Sequence, residues 1–366
     1  MTLHAGHALR NAGHFNGRTL RRTLRPTLRL RLTTALLGGL AALSAPWAMA
    51  QTDEQPLKVA VSIPPLHWMV DQLAGDFVDI TTLVTPGNSP DTYDPTPRQV
   101  AALSSVPLYL AIGVPFEQVW LPRLEQNQPE MQVVHLEAGL KTRFFGAGEA
   151  HHHDDHANHD EHEDHADHDE HEDHTNHDEH EDHEAHAAHA GHDDHGEDQG
   201  EADPHLWLDP ERMMKMIERT SDVLEAHIPE HASDIQANEQ QLLASLDALD
   251  SEISQQLAPY QGRNFMIFHP SFGYFSDRYQ LVQHAIETSG REPTPREMAQ
   301  VIARAKSEKI GTIFVSGQFS QTAAKRIASS LNAKVAVLDP LAEDYPENLR
   351  QASIALRKGF ELTDSQ

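Results

Sequence analysis

One pattern recurs along most of this chain: a short apolar run, a turn, then a segment with apolar residues at helical spacing. From residue 57 it predicts strands over 57–63 (LKVAVSI), 78–84, 107–112 (PLYLAI) and 132–136, with helices over 65–73, 96–104 and 116–125 between them. Uniformly apolar strands that alternate with helices are buried on both faces, which is the arrangement of a parallel sheet in an α/β fold. A helix over 211–227 follows, ended by Pro229. Residues 232–258 then place Ile235, Leu242, Leu243, Leu246, Leu249, Ile253 and Leu257 on one face with no proline or glycine. About 27 residues at 1.5 Å each make a helix of roughly 40 Å, longer than one lobe requires. The alternation resumes with strands over 265–268, 280–286, 312–316 and 334–338 and helices over 294–306, 321–331 and 348–360. The expected class is α/β, with two lobes of mostly parallel sheet flanked by helices and joined by one long rigid helix. The N-terminal lobe spans 51–231, the linking helix 232–260 and the C-terminal lobe 261–366.

The alternation is broken between residues 146 and 202. Histidine occupies every third position from His153, through His156, His159, His162, His165, His168, His171, His174, His177, His180, His183, His186, His189 and His192, to His195. His151 and His152 precede it, so the stretch holds 17 of the chain's 27 histidines. The rest is mostly Asp, Glu, Ala and Asn, and its nine-residue unit (NHDEHEDHA) has no large apolar residue with which to stack a core, so it is expected to be a disordered loop. Imidazole and carboxylate are the ligands that zinc, copper and nickel accept, and their repetition makes many weak, overlapping sites.

Residues 1–50 carry Arg10, Arg18, Arg21, Arg22, Arg25, Arg29 and Arg31 with no acidic residue, then an apolar stretch over 32–45 and Ala48-Met49-Ala50. This predicts a cleavable secretory signal peptide, because the apolar stretch is shorter than the roughly 20 residues of a membrane-spanning helix. Loss of those 7 of the 28 basic residues leaves 21 against 56 acidic ones. So acidic a chain repels nucleic acid and anionic lipid and attracts cations. With no cysteine, any specific metal site must be built from His, Asp and Glu.

Ligands of open α/β sheets sit at the carboxyl ends of the strands. The first lobe offers Asp91, within PGNSPDTYDPTP, and His205, within DPHLWLDP; the second offers His269 after the strand at 265–268 and Asp339 after that at 334–338. Two ligands from each lobe make a four-coordinate site completed where the lobes meet. His67 is the alternative donor to Asp91, its simpler role being to line the interlobe surface. Glu117 is expected to orient a ligand histidine through the ring's other nitrogen.

At these residues the chain resembles the zinc and manganese solute-binding proteins of bacterial ABC importers, the ZnuA-like family. PGNSPDTYDPTP, DPHLWLDP, FHPSFGYFSDRY and LDPLAEDY each look like that family's segments around its four metal ligands. The resemblance covers about residues 57–360 apart from the insertion, and a histidine-rich acidic loop between the first two ligand segments resembles its zinc-specific members. It implies that His205, His269 and Asp339 hold the second, third and fourth ligand positions. The first position is usually histidine in the family and is Asp91 here. Two His and two Asp suit Zn2+ and tolerate Mn2+ or Fe2+ better than three His and one Asp.

These readings imply a monomeric periplasmic receptor that captures Zn2+ and delivers it to an ABC importer permease. A metallohydrolase lacks support, since there is no H-E-x-x-H helix or nucleophile motif. A zinc buffer or adhesin is the other alternative, with the histidine run as its functional part.

Overall fold

Val59, Ala60 and Val61 are all fully buried, so the first strand is covered on both faces beyond the exposed Lys58 at its start. The computed structural model describes residues 55–145, 201–287, 291–319 and 321–364. The expected signal peptide and histidine run lie outside the described residues. Leu57–Val61 (β1), Pro64–Ala74 (α1), Val78–Thr82 (β2), Pro97–Leu103 (α2), Leu108–Ala111 (β3), Pro115–Asn127 (α3) and Gln132–His135 (β4) form the first series. Its sheet has the order β2-β1-β3-β4, all pairs parallel, with Val59 opposite Leu108 and Leu110 opposite Val134.

Pro210–His227 (α4) and Ala232–Leu257 (α5) lead to the second series. Asn264–Ile267 (β5), Gly273–Tyr279 (α6), Val282–Ala285 (β6), Pro295–Ser307 (α7), Thr312–Val315 (β7), Thr322–Leu331 (α8), Lys334–Val337 (β8) and Tyr345–Asp364 (α9) complete the chain. The second sheet repeats the first, all parallel, in the order β6-β5-β7-β8. Helix α5 buries Ile235, Leu242, Leu246, Leu249, Ile253 and Leu257 and packs on α1 and α4 of the first lobe and on α6 and α9 of the second.

Alternate residues of the second sheet serve two cores, as the pleat requires. Phe265, Ile267 and Phe314 face α9 and join the core that runs through α5 into the first lobe. Met266, Phe268, Ile313 and Val315 pack instead with Ala305 of α7 and Ala323, Ala324 and Ile327 of α8. Polar contacts close the same interface: Trp207 Nε1–H donates to the Pro340 carbonyl at 2.7 Å, and the Tyr345 hydroxyl donates to the Trp207 carbonyl at 2.8 Å. Both partners of each bond are buried, so these links hold the lobes in one arrangement.

Three local differences from expectation have physical causes. Helix α6 is unforeseen because it is only seven residues long with five of them buried, too short and too covered to generate a helical period. Helix α9 begins at Tyr345, whose buried ring packs at a tilt against Trp68, 5.2 Å between ring centres. The insertion is shorter than 146–202 at its far end: Phe144 bridges Ala202, and the Phe145 N–H donates to the Glu201 carbonyl at 2.9 Å, so Glu201 and Ala202 belong to the fold. Among the described residues no helix is long and apolar enough to cross a membrane.

Candidate metal centre

Asp91 lies in the loop after β2, which is fixed by its own side chains. The Tyr93 hydroxyl donates to the Leu83 carbonyl at 2.5 Å, Gln99 Nε2 donates to the same carbonyl at 2.9 Å, and Thr96 and Gln99 form a capping box on α2. Ser89 Oγ donates to Asp91 Oδ2 at 2.9 Å, which turns the carboxylate toward the lobe interface.

His205 stands at the entrance to α4, held by the residue two before it. Asp203 Oδ1 accepts from the His205 backbone N–H at 3.0 Å and from the ring Nδ1 at 2.9 Å. A 3-10 turn, Leu206–Leu208, then leads to Asp209, which caps α4 by accepting from the Glu211 N–H at 2.9 Å. His269 follows β5, and its Nδ1 donates to Glu287 Oε1 at 2.8 Å. Parallel pairing of β5 with β6 carries Glu287 there, since the Glu287 N–H donates to the Phe268 carbonyl at 3.0 Å. The Phe319 ring stacks on His269 at 4.4 Å.

A carboxylate can only accept, so each Nδ1 carries a proton and each Nε2 presents the lone pair that a metal ion could take. The two Nε2 atoms stand 3.2 Å apart, and Asp91 Oδ2 is 3.3 Å from that of His269. The ligand atoms of Asp91, His205 and His269 all fall within 4.8 Å of one another. Ligands 2.0–2.2 Å from a tetrahedral ion are separated by about 3.3–3.6 Å, so the spacing suits zinc. Both histidines are buried, as are Asp203 and Glu287, while Asp91 keeps partial exposure. Burial opposes a charge on His269, but the carboxylates of Asp91, Glu287 and Asp203 outweigh it and raise its pKa. A proton and a cation therefore compete for the same lone pair.

The other sequence-derived residues are placed elsewhere. Asp339 follows β8 and is half-buried; its Oδ1 accepts from Gln318 Nε2 at 2.8 Å and from the Leu341 N–H at 2.9 Å, and it is not among the three converging donors. His67 lies on α1, its Nδ1 at 2.9 Å from Thr82 Oγ1 and its Nε2 at 3.8 Å from Glu343 of the second lobe, at the interlobe surface and outside the cluster. The expectation for Glu117 is corrected: its carboxylate accepts from Ser62 Oγ and from the backbone N–H groups of Ile112 and Gly113, the latter at 2.7 Å, and orients no histidine. Burial pushes its pKa up to about 7 against those hydrogen bonds. Glu287 and Asp203 make the contacts foreseen for it. Glu287 directly follows a strand, the same positional signal that singled out His269, but was missed.

Residues 59–359 match the model of the family described as zinc-uptake complex component A, periplasmic (ZnuA). A crystal structure of ZnuA is similar with a TM-score of 0.67 at 30% identity, covering 83% of this chain and 99% of that one. A ZnuA deletion mutant with zinc bound gives a TM-score of 0.66 at 29% identity, over 83% of this chain and 98% of that one. The zinc-binding lipoprotein AdcA of Streptococcus pneumoniae serotype 4 is 25% identical over 82% of this chain and 54% of AdcA, so the chain spans about half the length of that curated relative. The high-affinity zinc uptake system protein ZnuA of Brucella abortus is 28% identical over 43% of this chain and 50% of its own length. The match over most of its length, on a fold of two parallel-sheet lobes joined by a long helix, makes this chain a member of the ZnuA family.

Proposed function

We propose that this chain is an exported receptor that captures Zn2+ between its lobes and delivers it to the permease of an ABC importer in the periplasm. The observation that carries the reading is the 3.2 Å separation of the His205 and His269 Nε2 atoms with the Asp91 carboxylate beside them. Each imidazole is fixed by a buried carboxylate, so the donors are preorganised and little chain must be ordered on binding. Asp339 supplies the fourth ligand from the neighbouring loop. With four protein ligands the ion has no open position for an activated water, which suits a carrier and not a hydrolase. The histidine run serves as an auxiliary, low-affinity collector, because each ion it binds must order polar chain.

Asp91 favours one second reading, a receptor that also accepts Mn2+ or Fe2+, since a carboxylate is harder than the imidazole usual at that position. Metal content and chelator competition on the chain without residues 1–50 and 151–195 decide between them. The proposal expects one tightly held zinc per chain and weaker manganese. Tighter manganese supports the second reading, and no stoichiometric metal removes both.

A further inference from the structure

The ligand His205 is linked to the second lobe through the Arg143 side chain. Asp203 offers Oδ1 to His205 and Oδ2 to Arg143 Nη1, which lies 3.0 Å away, so a single buried carboxylate joins the two. Arg143 Nε also lies 3.4 Å from Asp277 Oδ2 on α6. The same residues are braced through the backbone. The Arg143 N–H donates to the Tyr274 hydroxyl at 2.8 Å, that hydroxyl donates to the Asp203 carbonyl at 3.0 Å, and the Asp203 N–H donates to the Arg143 carbonyl at 2.9 Å. Gly273 permits the close approach: a Cβ there would meet Arg143 Cζ and Asp203 Oδ2 at 2.6 Å.

We infer that Arg143 is a positioning residue for metal binding, acting through Asp203 to fix the ring of His205 and to make that orientation depend on the second lobe's α6. The guanidinium holds the Asp203 carboxylate in the plane from which Oδ1 reaches Nδ1 of His205. It also draws charge from that carboxylate, which sets how strongly the imidazole donates to a cation. The anchor on Tyr274 and Asp277 belongs to α6, which begins four residues after the ligand His269, so displacement of α6 reaches both ligand histidines together. An isolated salt bridge at the neck of the insertion would serve only to close the chain there, and would leave the metal site indifferent to its loss.

This inference rests on the zinc-receptor reading, and a double-mutant cycle on the full chain separates the two. Zinc affinity of the tightest site is measured by chelator competition for wild type, Arg143→Gln, Asp203→Asn and the double variant, with the visible spectrum of the cobalt-loaded proteins as a readout of ligand geometry. Arg143→Gln is expected to weaken zinc by about 10- to 100-fold and to shift the cobalt bands. The double variant is expected to be no weaker than Asp203→Asn alone, because Arg143 acts through that carboxylate. Arg143→Lys, which keeps a cation at Asp203, is expected to recover most of the loss and stands in if Arg143→Gln does not fold. Additive losses, or an Arg143→Lys protein as weak as Arg143→Gln, overturn the inference while leaving the receptor reading intact. A wild-type chain with no tight zinc overturns both.

Discussion

His205 Nε2 and His269 Nε2 face each other at 3.2 Å across the boundary between the two lobes, each ring held from behind by a buried carboxylate. Two lone pairs at this distance repel unless a proton or a cation lies between them, so the proposed receptor would supply two donors already in place before a metal arrives. His205→Ala and His269→Ala should each weaken the tight zinc by orders of magnitude. Glu287→Gln, which cannot hold the Nδ1 proton with a charge, should cost about 10- to 100-fold. Chelator competition measures all three.

Asp91→His should retain zinc and lose affinity for manganese, since it exchanges a hard carboxylate for imidazole at a position 3.3 Å from His269. Parallel titrations with the two ions give the selectivity ratio, which should move toward zinc. His67→Ala should change zinc affinity less than about threefold, because its ring is engaged by Thr82 and lies near Glu343 rather than the cluster.

Glu117 gives a test of stability against pH. Its pKa rises from the usual carboxylate range to about 7 because burial disfavours its charge. The folded state therefore holds this proton more tightly than the unfolded chain does. The associated stability is complete below the unfolded carboxylate range near pH 4, and it is lost as pH rises through about 7, by up to about 1.4 kcal/mol per pH unit. Glu117→Gln cannot ionise. Its Tm advantage over wild type should open between pH 5 and 7 and level off above 7, as read by thermal denaturation of the metal-free proteins. A Tm difference independent of pH would contradict the assignment.

The strands and the long helix were legible because they carry strong local patterns. LKVAVSI and PLYLAI are short, mostly apolar runs bounded by turn residues, as covered strands are, and α5 keeps its apolar period for 26 residues. His205, His269 and Asp91 were legible because they stand at the carboxyl ends of strands or in loops facing them. Helix α6 was not, since it spans only seven residues, five of them buried, which leaves too little polar contrast for a period to show. Glu287 carries the same after-strand signal as His269, but its partner, 18 residues away, is set by the β5–β6 pairing, which local pattern does not give. Glu117 illustrates the opposite error: a carboxylate after β3 has the right position for a site residue, but the backbone N–H groups of Ile112 and Gly113 in the β3–α3 loop claim it.

Gly273→Ala tests the packing beneath the site. The added methyl would overlap the Arg143 guanidinium and the Asp203 carboxylate at 2.6 Å, so one of them must move. Zinc affinity should fall by about tenfold, the range seen when groups behind a ligand are displaced. An unchanged affinity would show that the pair shifts without disturbing His205.

The most direct measurement is a crystal structure of the zinc-loaded protein with anomalous scattering recorded at the zinc edge. The account predicts one strong peak between the lobes, bonded to Nε2 of His205, Nε2 of His269 and the Asp91 carboxylate, with Asp339 completing the shell and all bonds about 2.0–2.2 Å long. A peak that lies elsewhere in the fold, or one bonded to His67 in place of Asp91, would contradict it.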